Sequence, residues 1–324
     1  MEVMPTEQKK ILTQAITEGR DKVFSRFGKA PSKSFSEVLI TWILAFHGWI
    51  TVFVTLAITY VLLKDGIIFF QKVSFLEFFT GTVWGPFGEP KQLGVLPLVN
   101  GTLIVAIGAI VISVPLGLSV AIYLTQYASR LLREILTPLI EILGGIPTVV
   151  YGYFALDFVT PLLKKYFFPE IDIFNALSAS IVVGISIIPL IASLSIEAIR
   201  VIPQKIQSGA YALGLTKFHV ITRVILPASL SGITASIILA FSRAVGETMA
   251  VVLAAGSSPK MTLNYLESIQ TMTAFIVQVS LGDTPYGSIE YYTIYAIGLT
   301  LFVITFTFNW FALQLVKKFR EVYV

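Results

Sequence analysis

The chain of 324 residues is 55% hydrophobic and 13% charged, with a mean hydropathy of +0.82. Soluble globular domains carry about 25% charged residues, so this composition argues against a soluble fold. Cysteine is absent, which excludes disulfides, zinc-thiolate sites and cysteine nucleophiles. The two histidines, His47 and His219, lie too far apart in the sequence to predict a metal cluster.

The first 37 residues are polar and mixed in charge, and four apolar side chains within them fall close to one helical face. This pattern predicts a cytoplasmic N-terminal segment, either a helix lying at the membrane surface or a solvated tail. Residues 38–324 are predicted to form a single transmembrane domain.

Six long apolar runs follow, and each approaches or exceeds the roughly 20 residues that a helix needs to cross a bilayer. They cover residues 38–63, 98–124, 135–160, 173–195, 225–255 and 291–316. The sequence therefore predicts an all-α integral membrane protein with six transmembrane helices. Proline recurs inside the runs, at positions such as Pro115, Pro147 and Pro189, which favours a bundle that lines a cavity.

The loops between the runs differ in character and in charge. Residues 64–97 contain glycine, proline and aromatic residues and predict an ordered extramembrane loop. Residues 256–290 include an apolar piece, 269–279, that is too short to span and predicts a re-entrant or interfacial helix. Most of the 23 lysines and arginines fall in the terminal segments and in the loops after runs two and four. Because cytoplasmic segments carry this excess, both termini are predicted to be cytoplasmic.

Run three contains a carboxylate, Glu141, beside the glycine-rich and proline-containing stretch EILGGIPTVVYG. A buried carboxylate needs a cation, and Arg243 in run five is a candidate partner. The alternative is that Glu141 lies near the cytoplasmic boundary and pairs locally.

Run four carries small residues at four-residue spacing, Ala176, Ser180 and Gly184. Such a stripe lets two helix backbones approach closely, so it predicts helix packing and needs no functional explanation.

The segment between runs four and five, residues 196–227, is predicted to be a cytoplasmic helical loop. Ile206, Ala210 and Leu213 are expected to share one face of a short helix that Gly214 ends. A displayed amphipathic helix of this kind is suited to lie in a groove of another protein. The alternative is a helix lying on the lipid surface.

Run five carries two charged residues, Arg243 and Glu247, within an otherwise apolar span. An arginine at the centre of a membrane helix costs about 2.5–3.5 kcal/mol on insertion scales, so it normally faces a bundle interior or a wet cavity. Their four-residue spacing predicts one shared helical face, to which Thr248 would add a hydroxyl. The guanidinium fork matches a tetrahedral oxyanion, and Glu247 would hold it when no anion is present. The alternative is a permanent ion pair that only fixes helix packing.

The loop before run five resembles the EAA loop of ABC importer permeases, whose pattern ends with a glycine and then a Leu-Pro pair. The matching positions are Ser208, Gly209, Ala210, Gly214, Leu226 and Pro227. Ser208 and Gly209 replace the usual Glu-Ala, so the salt bridge made by that glutamate is not expected here. The resemblance implies the type I importer permease fold, which is also called MetI-like.

Three further stretches resemble phosphate permease subunits of the PstC family: LPLVNGTL at 96–103, EILGGIPTVVYG at 141–152 and RAVGETMAV at 243–251. The resemblance implies a heterodimer with a PstA-like permease, two PstB-like ATPases on the cytoplasmic face and an extracytoplasmic PstS-like phosphate-binding protein. It makes Arg243 and Glu247 pathway residues. Thr248 and Glu141 are further candidates because of their places in runs five and three. The resemblance also makes residues 205–218, including Leu213, the segment that couples to the ATPase.

The chain has no G-x-x-x-x-G-K-[ST] phosphate-binding loop. ATP hydrolysis is therefore expected on a partner, and the chain is predicted to be a non-enzymatic subunit with no metal, no cofactor of its own and no nucleic-acid partner. The predicted function is ATP-driven import of inorganic phosphate across the inner membrane of a prokaryote. Two alternatives remain open at this point: a permease for sulfate or molybdate, and an anion channel or secondary transporter that works without ATP.

Overall fold

The computed structural model describes residues 35–318 and divides into two units, Met1–Val61 and Leu62–Val324. Helix α1 (Phe35–Lys72) supplies the described residues of the first unit and the first residues of the second. The surface helix or tail predicted for residues 1–37 falls almost entirely on residues 1–34, which lie outside the described residues.

The second unit consists of helices and one short antiparallel hairpin. In chain order its further elements are α2 (Phe75–Thr80), β1 (Trp84–Gly85), β2 (Gln92–Leu93), α3 (Leu96–Ile122), α4 (Arg130–Gly145), α5 (Thr148–Phe154), α6 (Thr160–Tyr166), α7 (Ala176–Arg200), α8 (Gln204–Ala212), α9 (Lys217–Val220), α10 (Leu226–Val245), α11 (Met249–Ala254), α12 (Met272–Leu281) and α13 (Ile289–Lys318). Single π-helical turns extend α3, join α5 to α6 and join α9 to α10; they cover Tyr123–Tyr127, Ala155–Val159 and Ile221–Ile225.

Within residues 35–318, five helical segments are long and apolar enough to cross a membrane, and a sixth is present if one bent pair counts as a span. The five segments are Ser36–Lys72, Leu96–Tyr127, Ala176–Arg200, Lys217–Val245 and Ile289–Gln314. This confirms the predicted class of all-α membrane protein with six apolar runs.

Run three is not one helix, because α4 and the segment Thr148–Tyr166 meet at an angle of 87°. The bend lies at Ile146 and Pro147, where the backbone is extended at both residues. Proline disfavours helical backbone at the residue before it, which explains the position of the bend. Pro115 and Pro189, by contrast, lie inside helices that continue past them.

Run five is also interrupted: α10 ends at Val245 and α11 begins at Met249. Two favourable interactions compensate for the break. The Glu247 side chain accepts a hydrogen bond from the N–H of Ala250, and its backbone carbonyl accepts one from Thr273 Oγ1 at 2.8 Å. The predicted continuous helix over 225–255 is therefore wrong after residue 245.

The packing of α3 against α7 confirms the role predicted for the small residues of run four. Ala176, Ser180 and Gly184 are all buried. A Cβ placed on Gly184 would lie 3.1 Å from the carbonyl oxygen of Ala109, and one placed on Gly108 would lie 2.5 Å from Ser180 Oγ. These contacts leave no room for larger side chains, so the two helix backbones approach closely.

The two predicted loops are ordered. In the first, Trp84 of the hairpin is buried and packs edge-on against Phe275 of α12, with ring centroids 5.0 Å apart. In the second, α12 coincides with the predicted short apolar helix. The N–H of Met272 donates to Thr102 Oγ1 at 3.0 Å, and a Cβ at Gly101 would collide with the carbonyl oxygen of Gln270. The segment leading into α12 therefore lies directly on the first turns of α3.

Candidate translocation site and coupling surface

Two interrupted spans meet where α5 packs against α11. The contact is close, because a Cβ added at Gly152 would lie 2.8 Å from the Cβ of Leu253. Broken helices at membrane depth are tolerated where they are buried in protein or line a cavity, and transporters build substrate sites from them. The junction of the 87° bend with the break at 246–248 is therefore the candidate translocation site.

Arg243 lies in the last turn of α10, where a cation interacts favourably with the C-terminal end of the helix. Its side chain is exposed. Among residues 35–318 it has no hydrogen-bond partner and no carboxylate within 4.0 Å. The guanidinium is thus available to an outside group beside the α5–α11 junction.

Glu247 does not pair with Arg243, and the prediction of one shared helical face is wrong. The i, i+4 relation needs a continuous helix, whereas α10 ends between the two residues. Glu247 is 8% exposed, and its Oε1 accepts from the N–H of Ala250 at 3.4 Å. The first turn of α11, with its free N–H groups and positive dipole end, replaces the arginine as the partner of the carboxylate. Thr248 is half-buried, and its hydroxyl donates to the Gly246 carbonyl at 3.1 Å.

Glu141 is exposed on α4, one turn before the bend. Within the described part of the chain it forms no ion pair, either with Arg243 or with a local cation. Neither partner considered from the sequence is therefore observed. The bend beside Glu141 is held instead by Tyr151, whose hydroxyl donates to the Leu143 carbonyl at 2.8 Å.

Three polar residues at this level were missed by the sequence interpretation: Tyr151, Ser242 and Asn309. The Ser242 hydroxyl donates to Asn309 Oδ1 at 2.6 Å and ties α10 to α13 next to Arg243. Asn309 is an amide within an apolar run, which is a signal that could have marked it, since polar residues inside membrane helices usually have partners. Tyr151 lay within the quoted stretch EILGGIPTVVYG, but its reach across the bend depends on the fold.

The loop 196–227 is helical, as predicted, but its apolar side chains do not all share a face. Ala210 is buried in a cluster with residues of α7 and α9, and Ile206 is half-buried. Leu213 lies just beyond α8 and is 84% exposed, because the chain turns away at Gly214 with a φ of +80°. The expectation that Leu213 lies on the face of Ile206 and Ala210 is therefore wrong.

Leu213, Tyr211 and Phe218 are exposed apolar side chains of this loop. We refer to these three residues as the coupling surface, after the role predicted from the sequence. Ser208 and Gly209 are exposed on the same short helix. Leu226 and Pro227 begin α10, with the proline in the first turn, where its missing N–H costs no helix hydrogen bond. Among residues 35–318, no three histidine, aspartate or glutamate side chains gather in a way that could hold a metal.

Residues 113–321 match the family model described as binding-protein-dependent transport system inner membrane component. The chain belongs to this family. Its members are permease subunits of ABC importers, so the chain is a multi-pass inner-membrane permease. The family implies an ATPase and a substrate-binding protein as partners.

Several relatives share about a third of their residues with this permease. A Bacillus subtilis (strain 168) protein named "Probable ABC transporter permease protein YqgH" is 34% identical over 73% of this chain and 76% of its own length. The phosphate transport system permease protein PstC of Mesorhizobium japonicum is 32% identical over 71% of this chain and 75% of its own. A probable PstC of Methanocaldococcus jannaschii is 31% identical over 76% and 83%.

Solved structures of other importers share the fold of the permease. A bacterial alginate ABC transporter chain matches 90% of this chain and all of its own, with a TM-score of 0.61 at 15% identity. A chain of the MetNI methionine ABC transporter in an inward-facing conformation matches 70% of this chain and 95% of its own, with a TM-score of 0.53 at 15% identity. The predicted MetI-like fold is confirmed.

Proposed function

We propose that the chain is one transmembrane permease subunit of an ATP-driven importer for inorganic phosphate. The observation that carries the substrate assignment is the set of relatives that bear the name PstC, from bacteria and from Methanocaldococcus jannaschii, over more than 70% of the chain. A PstA-like second permease would supply the other half of the pathway. A PstS-like protein would deliver phosphate outside, and PstB-like ATPases would bind inside, with both termini of the permease cytoplasmic.

Arg243 is the residue that we assign to the anion. It carries a permanent charge, is exposed at the junction of two broken spans, and lacks a carboxylate partner within the described residues. Because guanidinium presents paired donors to a tetrahedral oxyanion, a phosphate that reaches this junction would gain charge-assisted hydrogen bonds. Tyr151 belongs to α5, one of the two helices that meet at this junction.

The other pathway candidates receive revised roles. Glu247 positions the break, since its carboxylate is bound to the start of α11 and its carbonyl to Thr273. Arg243 is therefore free to bind an anion, and it does not alternate between a carboxylate and the substrate. Thr248 lies in the break itself, where its hydroxyl could turn from the Gly246 carbonyl to a phosphate oxygen. Glu141 is exposed beside the bend and would meet the second permease or the pathway.

The coupling surface is assigned to the ATPase. Tyr211, Leu213 and Phe218 are exposed on a helical loop whose other side, at Ala210, is anchored in the bundle. A rigidly anchored helix with apolar side chains projecting from it is suited to a groove on a partner. Movement of that partner during ATP hydrolysis would pass through α9 and the π-helical turn to α10 and Arg243. The chain itself needs no cofactor for this, because ATP binds to the partner.

ATP-dependent uptake of labelled phosphate into proteoliposomes, with the complete transporter, tests the proposal. Arg243→Gln should lower uptake at least tenfold, because a hydrogen bond to a charged group contributes about 1.5–3 kcal/mol and 1.4 kcal/mol is a factor of ten. Arg130→Gln is the matched control, since Arg130 is exposed and, within residues 35–318, pairs only with Glu134 on its own helix.

Three outcomes would contradict parts of the proposal. Unchanged uptake in a correctly inserted Arg243→Gln transporter would remove the pathway role. Sulfate or molybdate that is taken up in preference to phosphate would replace the substrate, and uptake without ATP would remove the coupled mechanism.

A further inference from the structure

A polar cavity of about 190 Å³ lies where the end of α3, the start of α4, the end of α7 and the start of α8 converge. Its polar lining includes Arg133 from α4, Arg200 from α7, Gln126 from the π-helical turn after α3, and Gln204 and Gln207 from α8. The translocation site uses none of these residues. The cavity borders the helix that precedes the coupling surface.

The cavity has an excess of positive charge. It is lined by two arginines and by no carboxylate. The helices that carry the arginines hold three carboxylates, and none of them lines the cavity. Glu134 pairs with Arg130 at 2.9 Å, while Glu141 and Glu197 are exposed and have no cation within 4.0 Å in residues 35–318. An arginine pair without a counter-ion in a concave site attracts an anion.

The donors of the cavity are held in place to different extents. Arg133 is half-buried, and its Nε donates to the Leu124 carbonyl at 2.8 Å while its Nη2 donates to the Thr125 carbonyl at 3.4 Å. These bonds fix the guanidinium at the π-helical turn that extends α3, and the N–H groups of Nη1 donate to none of the described residues. Arg200 is exposed, and among the described residues it makes no hydrogen bond or ion pair. The three glutamines add uncharged amide N–H donors to the two charged guanidinium groups.

We propose that this cavity is a binding site for a phosphoryl oxyanion, independent of the pathway arginine. Two guanidinium groups and several amides provide the planar, charge-assisted donors that recognise phosphate oxygens. Two sources offer the same chemistry at the membrane boundary: the headgroup of an anionic phospholipid and free inorganic phosphate. The ligand would contact α8 on one side and α4 and α7 on the other. It would therefore hold α8, which carries Tyr211 of the coupling surface, against the helix bundle. The site does not depend on which substrate the permease transports.

The test uses the full-length chain in nanodiscs, with binding of radiolabelled inorganic phosphate measured in pure phosphatidylcholine. A second arm uses mixed phosphatidylcholine and phosphatidylglycerol, with the retained lipid counted by native mass spectrometry. Arg200→Gln should weaken one of the two signals at least tenfold, because it removes one of the two guanidinium groups that line the cavity. The fold should be unaffected, since the Arg200 side chain forms no hydrogen bond or ion pair with the residues that the structure describes. Arg223→Gln removes an exposed arginine that does not line the cavity and should change neither signal.

Each outcome decides the proposal. Loss of phosphate binding in Arg200→Gln identifies free phosphate as the ligand, and loss of retained phosphatidylglycerol identifies a lipid headgroup. No binding of either probe, or equal losses in Arg200→Gln and Arg223→Gln, overturns the site. All measurements are repeated with Arg243→Gln: a signal that disappears only with this change belongs to the pathway and counts against the cavity, whereas a signal that persists is separate from transport.

Discussion

The contact between Gly152 and Leu253 tests whether α5 and α11 meet as the structure describes. Alanine at position 152 would place a Cβ 2.8 Å from both Cβ and Cδ1 of Leu253. Atoms that close overlap, so one side chain or one helix must shift. This shift would occur close to the interruption between α10 and α11, which follows Arg243 in the chain.

The expected magnitude comes from two opposing terms. Overpacking a close contact costs about 1–3 kcal/mol, whereas replacing a helical glycine by alanine contributes about 1 kcal/mol of stability. Gly152→Ala should therefore lower the free energy of unfolding by up to about 2 kcal/mol. In a Leu253→Gly background both the Cβ and the Cδ1 that obstruct the new methyl group are gone, and the same change should raise the free energy of unfolding by about 1 kcal/mol.

Reversible unfolding in mixed detergent micelles, with all four members of the cycle, measures this reversal of sign. Gly209→Ala is the reference substitution, because it lies within α8 and a Cβ there meets no atom within 4 Å. It should stabilise the protein by about 0.5–1 kcal/mol. If Gly152→Ala stabilises the protein equally with and without Leu253, the two helices do not meet at this point.

Three further predictions concern the coupling loop and the α10–α13 contact. Gly214→Ala should cost about 1 kcal/mol, since the residue has a φ of +80°; a thermal unfolding midpoint equal to that of the unchanged protein would show that the turn is not strained. Leu213→Asp should leave stability unchanged, because Leu213 is 84% exposed, and should abolish co-purification of the ATPase; retained co-purification would exclude the coupling surface from the interface. Ser242→Ala should cost about 0.6 kcal/mol for one interhelical hydrogen bond to Asn309; Asn309→Leu is the partner variant, and additive losses in the double variant would contradict a direct bond.

The structural features that could be predicted from the sequence are those that depend on a short local sequence pattern. The spacing of Ala176, Ser180 and Gly184 predicted the close approach of α7 to another helix, because a small-residue stripe has few other uses in a membrane. Pro147, within a glycine-rich stretch, marked the interruption of run three. The EAA-type pattern indicated the helical loop around Ala210. Each of these depends on residues that are near neighbours in the chain.

The relation between Arg243 and Glu247 could not be predicted, because it depends on residues far away in the sequence. Their spacing indicates one face only if the helix continues through Gly246. The break is compensated by Thr273, which lies 26 residues beyond Glu247 and donates to its carbonyl. Similarly, Leu213 carries the apolar pattern of a buried position, but the backbone at Gly214 turns the chain and exposes it.

The contact between Gly101 and the Gln270 carbonyl limits how the segment between α11 and α12 can move relative to α3. A methyl group at position 101 would overlap the Gln270 carbonyl, and the N–H of Met272 is hydrogen-bonded to Thr102. The segment that connects α11 to α12 is therefore held firmly against the first turns of α3. A small local movement of this segment would break the hydrogen bond between Met272 and Thr102 before a gap could open between the segment and α3. We therefore expect any movement of this segment to carry α3 with it, and α7 as well, because α3 and α7 pack closely at Gly108 and Gly184.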